Sequence, residues 1–443
     1  MADTGQTTTT EQTDVGSYFV ANYPPFSLWT QDAVATEARS ALAQPPADVP
    51  LGLYLHIPFC RKRCHFCYFR VYTDKNASEV ADYLDVMARE WELYATQPAI
   101  AGRPLRFIYF GGGTPSFLSV RQLKSLVDRL SAVTPWTDAE EITFECEPGT
   151  LTESKLSQIR DMGITRLSLG VEHFDDDVLA LNGRAHRSTE VFRAYEFAQS
   201  LNFPQVNIDL IAGMLGDSDQ KWHDAVAQTI ALSPDSVTIY QMELPYNTTI
   251  SSDLLKGTGQ FTESVATWST KRRWVREAFD ALEGAGYTVS SAYTAVKNPR
   301  TTRFVYRDQL WQGADLAPLG VSSFGHINGV HMQNLDSWGP YAASVRSGEI
   351  PLSRAFRPTA EERLIRELVL QLKRGSVRPT YFSGKYGVDI ADRFAPALAS
   401  LRADGYLIAS DADQVELTRE GLLRVDSLLP RFFLPEHTDL RYT

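Results

Sequence analysis

Three cysteines lie in one short stretch of the chain, Cys60, Cys64 and Cys67, with the spacing C-x3-C-x2-C. Thiolates at close spacing bind iron–sulfur clusters or zinc. A [4Fe–4S] cluster has four irons, so three thiolates leave one iron with an open position at which a ligand can bind and react. Zinc is the alternative, with His56 or His65 as the fourth ligand. Neither histidine gives a standard zinc spacing, so the pattern favours the cluster.

The residues around the cysteines narrow this interpretation. The phrase Tyr54-Leu-His-Ile-Pro-Phe-Cys60, with the cysteine spacing and an aromatic residue before the last cysteine, resembles the radical S-adenosylmethionine (SAM) superfamily. Within it, the phrase resembles the oxygen-independent coproporphyrinogen III oxidase (HemN)-like family, from about Leu53 to the C-terminus. The resemblance implies a [4Fe–4S] cluster held by Cys60, Cys64 and Cys67, with SAM at the open iron. It also implies a one-electron donor of the flavodoxin or ferredoxin type.

Further motifs follow the predicted strands. The glycines of Gly111-Gly-Gly113 allow the backbone to approach a ligand closely. Glu145 and Glu147 have the spacing that places both side chains on one side of a strand, with Cys146 buried on the other. The resemblance implies a set of SAM-binding residues, with Arg184 pairing with the SAM carboxylate. These residues are Tyr54, Phe66, Gly112, Gly113, Thr114, Glu145, Glu172, Arg184, Asp209 and Ile211.

The chain departs from the family pattern at three places. Glu172 stands where the family has glutamine, and Phe69 stands where the coproporphyrinogen oxidases have a further cysteine. The segment Tyr306–Trp311 differs from the histidine–asparagine motif of the haem-chaperone branch. These departures favour the methylase and cyclopropanase branch. There, the methyl group of a second SAM is activated for methylene transfer to an sp2 carbon in natural-product (antibiotic) biosynthesis, in some cases with a partner methyltransferase.

Two alternatives remain open. The first is anaerobic decarboxylation of coproporphyrinogen III, for which Arg300, Arg303 and Arg307 are candidates to bind the propionates. The second is haem binding, as in the chaperone branch. The acceptor is a small molecule in each enzymatic interpretation.

Apolar runs alternate with segments of helical spacing, which predicts βαβ units and a parallel sheet. The predicted strands are Leu53–Ile57, Arg106–Phe110, Ile142–Cys146, Arg166–Gly170, Val206–Ile211 and Ser236–Met242. Six units are two short of a full (β/α)8 barrel, so the expected fold class is α/β, a partial (β/α)6 TIM-type barrel. Its chemistry should gather at the C-terminal ends of the strands.

The predicted organisation has four parts. Residues 1–50 form an N-terminal extension, disordered to about residue 16, whose aromatic segment Ser17–Trp29 packs on the body or covers the site. Residues 51–295 form the barrel, and residues 296–358 form a connecting, substrate-side segment. Residues 359–443 form a small winged-helix-like α+β domain with helices and a two-stranded wing.

Composition excludes several classes of protein. The polar N-terminus is not a secretory signal and no apolar run is long enough to span a bilayer, so a cytoplasmic protein without a membrane partner is expected. Four cysteines, three of them in one motif, argue against a disulfide framework. A net charge of −11 argues against an extended nucleic-acid surface. A monomer is expected.

Overall fold

The structure is a computed structural model that describes residues 12–263, 265–438 and 440. The predicted disorder of the first residues therefore lies mostly outside the described part. Within it, the Gly16 N–H donates to the Leu244 carbonyl, and Thr13 Oγ1 donates to the Ala266 carbonyl. Throughout the described ranges, no helix is both long enough and apolar enough to cross a membrane.

Six parallel strands form the centre of the molecule, as predicted, and helices cover their outer face. The strands are β1 (Leu51–Ile57), β2 (Leu105–Gly112), β3 (Glu141–Cys146), β4 (Arg166–Glu172), β5 (Gln205–Ala212) and β6 (Ser236–Gln241). The helices are α1 (Arg39–Ala43), α2 (Ala77–Ala95), α3 (Val120–Val133), α4 (Glu153–Asp161), α5 (Asp176–Leu181), α6 (Ser188–Ser200), α7 (Asp219–Leu232), α8 (Thr249–Lys256) and α9 (Trp268–Gly284).

The sheet extends beyond these six strands. A further parallel strand pairs with β1, and antiparallel strands continue from it and from β6. The added elements are β7 (Thr288–Val289), β8 (Thr294–Val296), α10 (Val305–Trp311), β9 (Asp315–Leu319), β10 (Phe324–Ile327), β11 (Val330–Asn334), α11 (Trp338–Arg346) and β12 (Leu352–Phe356). The order is β12-β11-β10-β9-β1-β2-β3-β4-β5-β6-β8-β7. Backbone hydrogen bonds in both directions join Thr30 to Ala355 on the outermost strand, β12.

The hairpin β10–β11 turns at Asn328 and Gly329, which have φ values of 49° and 75°. Asn-Gly between two short apolar runs is the usual sequence of a tight β-hairpin, since both turn residues need positive φ. This stretch belongs to the segment predicted above as connecting and substrate-side, and its Asn-Gly pair is the local signal that identifies the hairpin.

The inner face of the sheet is set by the pairing of β1 with β2. Gly52 pairs with Phe107 and Tyr54 pairs with Tyr109 on this face. Helix α10 lies against the same face, because the Val305 and Tyr306 N–H groups donate to the carboxylate of Glu141 at the start of β3. Helix α10 therefore covers the inner face near the strand beginnings.

The C-terminal part has its own core and a small antiparallel sheet, β13-β15-β14. The predicted two-stranded wing is present and gains a third short strand. Tyr23 from the N-terminal segment is fully buried in this core, whereas Trp29 stacks on His331 of β11. The elements are α12 (Ala360–Leu372), β13 (Ser376–Val377), α13 (Pro379–Tyr386), α14 (Ile390–Arg393), α15 (Ala395–Ala403), β14 (Leu407–Ser410), β15 (Val415–Leu417), α16 (Arg419–Leu423) and α17 (Val425–Leu428).

Candidate active site

The cysteine loop leaves the C-terminal end of β1. Two backbone hydrogen bonds fix its start, from Cys60 N–H to the Tyr72 carbonyl at 3.1 Å and from Tyr72 N–H to the Pro58 carbonyl at 2.7 Å. Thr114 Oγ1 donates to Cys60 Sγ at 3.3 Å, and Arg184 Nη1 donates to Cys64 Sγ at 3.3 Å. The loop therefore presents its thiols to residues that follow β2 and β4.

The thiols fit a cluster better than they fit zinc. Zinc would draw the three thiols and either His56 or His65 to one point. His56 lies near Tyr54 Oη and the Arg70 carbonyl, and His65 Nδ1 near the Leu181 carbonyl. Thiolates of a [4Fe–4S] cluster bind different irons and do not converge in this way.

In the absence of a metal, burial raises the pKa values of two of these thiols. It raises the pKa of Cys60 to about 12, with a hydrogen bond from Thr114 acting in the opposite direction, and raises the pKa of Cys67 to about 11. Metal binding deprotonates coordinated thiols, so cluster binding would reverse this burial effect. The donor set and its surroundings therefore fit the [4Fe–4S] cluster.

Gly112 and Gly113 lie at the C-terminal end of β2, next to the cysteine loop. Gly112 has φ 106°, and a Cβ atom there would lie 2.6 Å from the His56 ring. A Cβ on Gly113 would lie 2.9 Å from the Ile57 carbonyl oxygen and 3.0 Å from Cys60 Sγ. Side chains at these positions would fill the space beside the loop, so glycine is required here for packing as well as for conformation.

Three predicted acidic residues line the inner face beside Arg184. Burial raises the pKa of Glu145 to about 7, although Tyr109 Oη donates a hydrogen bond to it. Burial also raises the pKa of Asp209, opposed by donors from Ser168 at 2.9 Å and Asn207 at 2.8 Å. Groups held in this way favour a cationic or hydroxyl-bearing ligand that would stabilise their charged forms.

Glu172 has a special backbone conformation at the end of β4. Its φ is 64°, and the register of β4 against β5 shifts between Gly170 and Glu172. Its carboxylate lies 3.6 Å from Arg184 Nη2, while burial raises its pKa to about 7. Residues with positive φ are uncommon outside glycine and cluster at functional sites, so the backbone directs this carboxylate toward Arg184.

Arg184 joins the acidic residues to the cysteine loop. Besides Cys64, its guanidinium contacts the Gly170 carbonyl, and its buried Nε has no hydrogen-bond partner among the residues that the structure describes. Arg184 is not a surface arginine, since its side chain is only 11% exposed. An unpaired buried donor at this point leaves capacity for a bound carboxylate.

Glu145 and Glu147 do not face the same partners, contrary to the spacing argument. β3 ends at Cys146, so Glu147 no longer follows the period of the strand. Glu147 pairs with Arg61 of the cysteine loop and with His186 at 3.2 Å. Burial alone would raise the pKa of Glu147, but these hydrogen bonds lower it to about 2. Glu147 therefore anchors the cysteine loop, and His186 is a structural residue.

The remaining predicted residues divide between polar and apolar surroundings. Tyr54 Oη lies 3.2 Å from His56 Nδ1 on the inner face. Phe66 packs against the apolar cluster that contains Ile211, so these two residues lie together. Cys146 is buried with Sγ 3.8 Å from the Phe144 carbonyl, as expected for a residue outside the metal site.

An aromatic wall on the inner face was not identified from the sequence. We use this term for Tyr54, Tyr109, Phe304 and Tyr306. The ring centroid of Tyr109 lies 6.0 Å from the ring centroid of Tyr54 and 4.3 Å from that of Tyr306. Tyr306 comes from α10, far away in the chain. Only the contact between α10 and β2 brings these rings together, so no local pattern could reveal the wall.

Of the arginines considered for propionate binding, Arg307 lies at this wall, with its guanidinium carbon 5.7 Å from the ring centroid of Phe304. Arg300 is exposed beyond β8, whose last residue pairs with the first residue of β6, so it lies at the opposite end of the sheet from the cysteines. Arg303 is also exposed. Arg307 pairs with Asp308 at 2.8 Å.

Comparisons with known proteins agree with this geometry. The model of the radical SAM superfamily matches residues 54–228. The haem chaperone HemW of Bacillus subtilis is 27% identical over 377 residues, which cover 84% of this chain and 96% of that protein. The oxygen-independent coproporphyrinogen III oxidase of Pseudomonas aeruginosa is 27% identical over 420 residues, covering 90% of this chain and 89% of the relative.

A solved structure extends the likeness to the whole fold. The coproporphyrinogen III oxidase HemN from Escherichia coli, a radical SAM enzyme, superposes with a TM-score of 0.79 at 25% identity. The match covers 95% of this chain and 99% of that chain. The α/β fold and the C-terminal domain predicted from the sequence are confirmed.

These comparisons overturn one prediction. Methylene transfer in natural-product biosynthesis, with its methylase or cyclopropanase chemistry and partner methyltransferase, is not supported, because the relatives are coproporphyrinogen oxidases and haem chaperones. The departures at Phe69, Glu172 and Tyr306–Trp311 are real differences in sequence, but they do not define that branch. The chain is therefore similar to the radical SAM superfamily over residues 54–228 and, over most of its length, to coproporphyrinogen oxidases and HemW haem chaperones.

Proposed function

We propose that this protein is a radical SAM oxidoreductase that abstracts hydrogen from a propionate side chain of a tetrapyrrole of the coproporphyrinogen III type. The observation that carries the proposal is the likeness to HemN over 95% of the chain, which includes the cysteine loop and the C-terminal domain. The bound cluster and SAM would supply the 5′-deoxyadenosyl radical that takes the hydrogen.

The residues of the chain would bind and orient SAM. Cys60, Cys64 and Cys67 would hold the cluster. Arg184 already contacts Cys64 and has a buried unpaired Nε, which suits a carboxylate of SAM beside the cluster. The glycines beside the loop leave backbone room for its amino group. Glu145, Glu172 and Asp209 would accept hydrogen bonds from its ammonium and ribose hydroxyl groups.

The aromatic wall supports a flat substrate. Tyr54, Tyr109 and Tyr306 present neighbouring ring faces on the inner side of the sheet. Aromatic faces bind planar apolar groups by offset stacking and exclude water from them. A tetrapyrrole offers such a plane. Arg307 lies beside Phe304 of the wall but pairs with Asp308, and Arg300 and Arg303 are exposed, so the proposal does not depend on these arginines. The proposal also does not require a second SAM molecule.

The test is anaerobic turnover. Reconstituted protein is reduced and incubated with SAM and coproporphyrinogen III, and the products are weighed by mass spectrometry. With a one-electron acceptor added, we expect one 5′-deoxyadenosine for each propionate that becomes a vinyl group, as the substrate radical loses CO2 and passes one electron to that acceptor. The Cys64→Ala variant is the control for cluster-independent oxidation. Formation of 5′-deoxyadenosine with the porphyrinogen unchanged would rule out this substrate.

Haem binding is the second candidate, supported by the likeness to HemW over 96% of that protein's length. The same aromatic wall would bind an oxidised macrocycle as well as a reduced one. Titration with haemin, followed by Soret absorbance, tests it. A saturable one-to-one change that is lost in Tyr109→Ala, without porphyrinogen turnover, would favour this function over decarboxylation.

A further inference from the structure

A network of buried polar side chains lies on the inner face, between the strand beginnings and Asp209 of β5. We call it the polar network; its members are Arg166 and Ser168 of β4, Asn207 of β5 and Ser236 of β6. Ser168 pairs in register with Asn207, and Asn207 with Ser236. Each member is at most 6% exposed. Buried polar groups are costly unless they are hydrogen bonded, so their donors and acceptors indicate what the network holds in place.

The amide of Asn207 uses its full hydrogen-bonding capacity. Its Nδ2 donates to Asp209 Oδ1 at 2.8 Å and to Ser168 Oγ at 3.0 Å. Its Oδ1 accepts from Ser236 Oγ at 2.7 Å and from Thr238 Oγ1 at 3.1 Å. An ionised carboxylate can only accept hydrogen bonds, so the NH2 group must face Asp209, and the amide has a single orientation.

The donors of the polar network are directed toward Asp209. Arg166 Nη1 donates to Ser236 Oγ at 3.1 Å, and Ser236 Oγ donates in turn to Asn207 Oδ1. Ser168 accepts from Asn207 and donates to Asp209 Oδ2 at 2.9 Å, so both carboxylate oxygens have a donor. Hydrogen bonds that run in one direction from a cation polarise one another and stabilise the ionised carboxylate at their end.

The polar network also affects the ionisation of Asp209. Burial raises the pKa of Asp209, whereas Ser168, Arg166 and Asn207 act in the opposite direction. Burial also raises the pKa values of four groups that face Asp209 from other strands, and the charge of Asp209 adds to the rise. These groups are Tyr109 of β2, Glu145 of β3, Glu172 of β4 and Tyr240 of β6. None of them is a cation, so they do not replace the network.

We propose that Asn207 is a positioning residue that holds the Asp209 carboxylate in place for contact with SAM, through the polar network that begins at Arg166. Asn207 itself does not reach a ligand, since it is fully buried and its amide has no free donor or acceptor. The inference deepens the proposed function, because it rests on Asp209 as a SAM contact. It does not depend on the tetrapyrrole substrate.

The SAM affinity of the reconstituted protein tests the proposal. Asn207→Leu keeps the shape of the side chain and removes the donor to Asp209. We expect its dissociation constant for SAM, measured by calorimetric titration at about pH 6.5, to rise at least about tenfold. The pKa of Asp209 should be higher in this variant, so the affinity should recover as the pH rises to about 8.5. Since Glu145 and Glu172 titrate in both proteins, the quantity compared at each pH is the ratio of the two dissociation constants.

A double-mutant cycle shows whether Asn207 acts through Asp209. We expect Asp209→Asn to weaken SAM binding, and Asn207→Leu to add less than about twofold to that loss in the double variant. Ser168→Ala removes the donor to the other carboxylate oxygen and carries the test if Asn207→Leu does not fold. It should weaken binding about threefold with the same pH trend. Additive effects in the cycle, a ratio that stays constant with pH, or unchanged affinity in Asp209→Asn would overturn the proposal.

Asn334→Leu is the matched control. Asn334 is equally buried, and its Nδ2 also donates to a carboxylate, that of Glu90 at 2.6 Å, but this pair lies between β11 and α2. The variant should lose stability and keep the SAM affinity of the unmodified protein at every pH. An equal, pH-dependent loss of affinity in Asn334→Leu would overturn the proposal. No porphyrinogen is present in these titrations, so a failure of the proposed turnover and a failure of this inference are separate results.

Discussion

Cys64 and Cys146 are the same chemical group in two different surroundings. Cys64 is partly exposed in the loop and receives a hydrogen bond from Arg184. Cys146 is buried at the end of β3, and burial raises the pKa of its thiol well above the usual range. Sequence spacing predicts different roles for them, because a metal motif is local. The hydrogen bond from Arg184 to Cys64 joins residues that are far apart in the sequence, so only the fold reveals it.

Replacement of these two cysteines tests the assignment. We expect Cys64→Ala to fold but to bind little iron after reconstitution, since one of three thiolates is lost. Cys146→Ala should keep its iron and lose about 1 kcal/mol of stability through a small cavity. Iron and sulfide analysis with circular dichroism measures both. Full iron content in Cys64→Ala would contradict the assignment.

Glu172 gives a pH dependence with a defined sign. Its pKa is about 7 in the folded protein against 4.5 as the ordinary value, because burial raises it, Arg184 acts in the opposite direction and nearby Asp209 adds to the rise. A raised pKa means that its contribution to stability is present below pH 4.5 and is lost as the pH rises through 7. The loss is at most about 3 kcal/mol.

The Glu172→Gln variant should reduce this dependence. In anaerobic urea unfolding of the metal-free protein, we expect the fall in unfolding free energy between about pH 5 and pH 8 to become smaller. Glu145 and Asp209 will keep part of it. Glu147→Gln is the control of opposite sign, since the pKa of Glu147 is lowered to about 2, and its loss should destabilise the protein at neutral pH. An unchanged slope in Glu172→Gln would show that this carboxyl titrates normally.

At the scale of elements, the end of β2 is the part that most constrains the site. Gly112 combines a positive φ with a position where a Cβ would meet His56, while Gly163 after α4 also has positive φ, 86°, but has open space around it. Gly112→Ala should therefore lose stability and weaken SAM binding at least about tenfold, whereas Gly163→Ala should lose only about 1 kcal/mol of stability.

Calorimetric titration of SAM into the reconstituted variants separates these effects. The comparison is direct because both glycines have left-handed backbone and only one lies beside the cysteine loop. Similar SAM affinity in Gly112→Ala and Gly163→Ala would mean that backbone strain alone matters at these positions. It would also remove Gly112 from the proposed SAM site.

Sequence reasoning predicted the elements with local periodicity and missed those defined by distant contacts. β1 to β6 were found because apolar runs bounded by helical segments are visible within a short window. β9 was missed because its parallel pairing with β1 is non-local, and the role of α10 was missed because Glu141 accepts its first N–H groups across the barrel. The Asn328-Gly329 turn was predictable and was overlooked.

At the scale of the whole molecule, the N-terminal segment ties the barrel to the C-terminal part. Gly16 bonds to Leu244 just beyond β6, while Val20 N–H donates to Asp426 at 2.7 Å and the Val20 carbonyl accepts from Lys373 at 2.6 Å. Lys373 and Asp426 also pair with each other at 2.7 Å. The N-terminal segment therefore holds the barrel and the C-terminal part together, although each part has its own hydrophobic core.

Calorimetry can show whether the parts unfold together. We expect one cooperative transition for the metal-free protein, because the N-terminal segment contributes to both parts and its release would expose the buried Tyr23. Tyr23→Ala should lower the melting temperature of that single transition. Two well-separated transitions in the unmodified protein would show that the barrel and the C-terminal part are independent.

The two ends of the large sheet have a consequence for behaviour in a crowded cell. A long unpaired edge strand recruits strands from other molecules and starts aggregation. Here β7, at one end, has only two residues, and β12, at the other, is partly paired by Thr30. Neither end offers a long template for intermolecular strand addition. The pairing by Thr30 thus protects the protein against aggregation through β12. N-terminal shortening past this residue should favour self-association even where the catalytic residues remain in place.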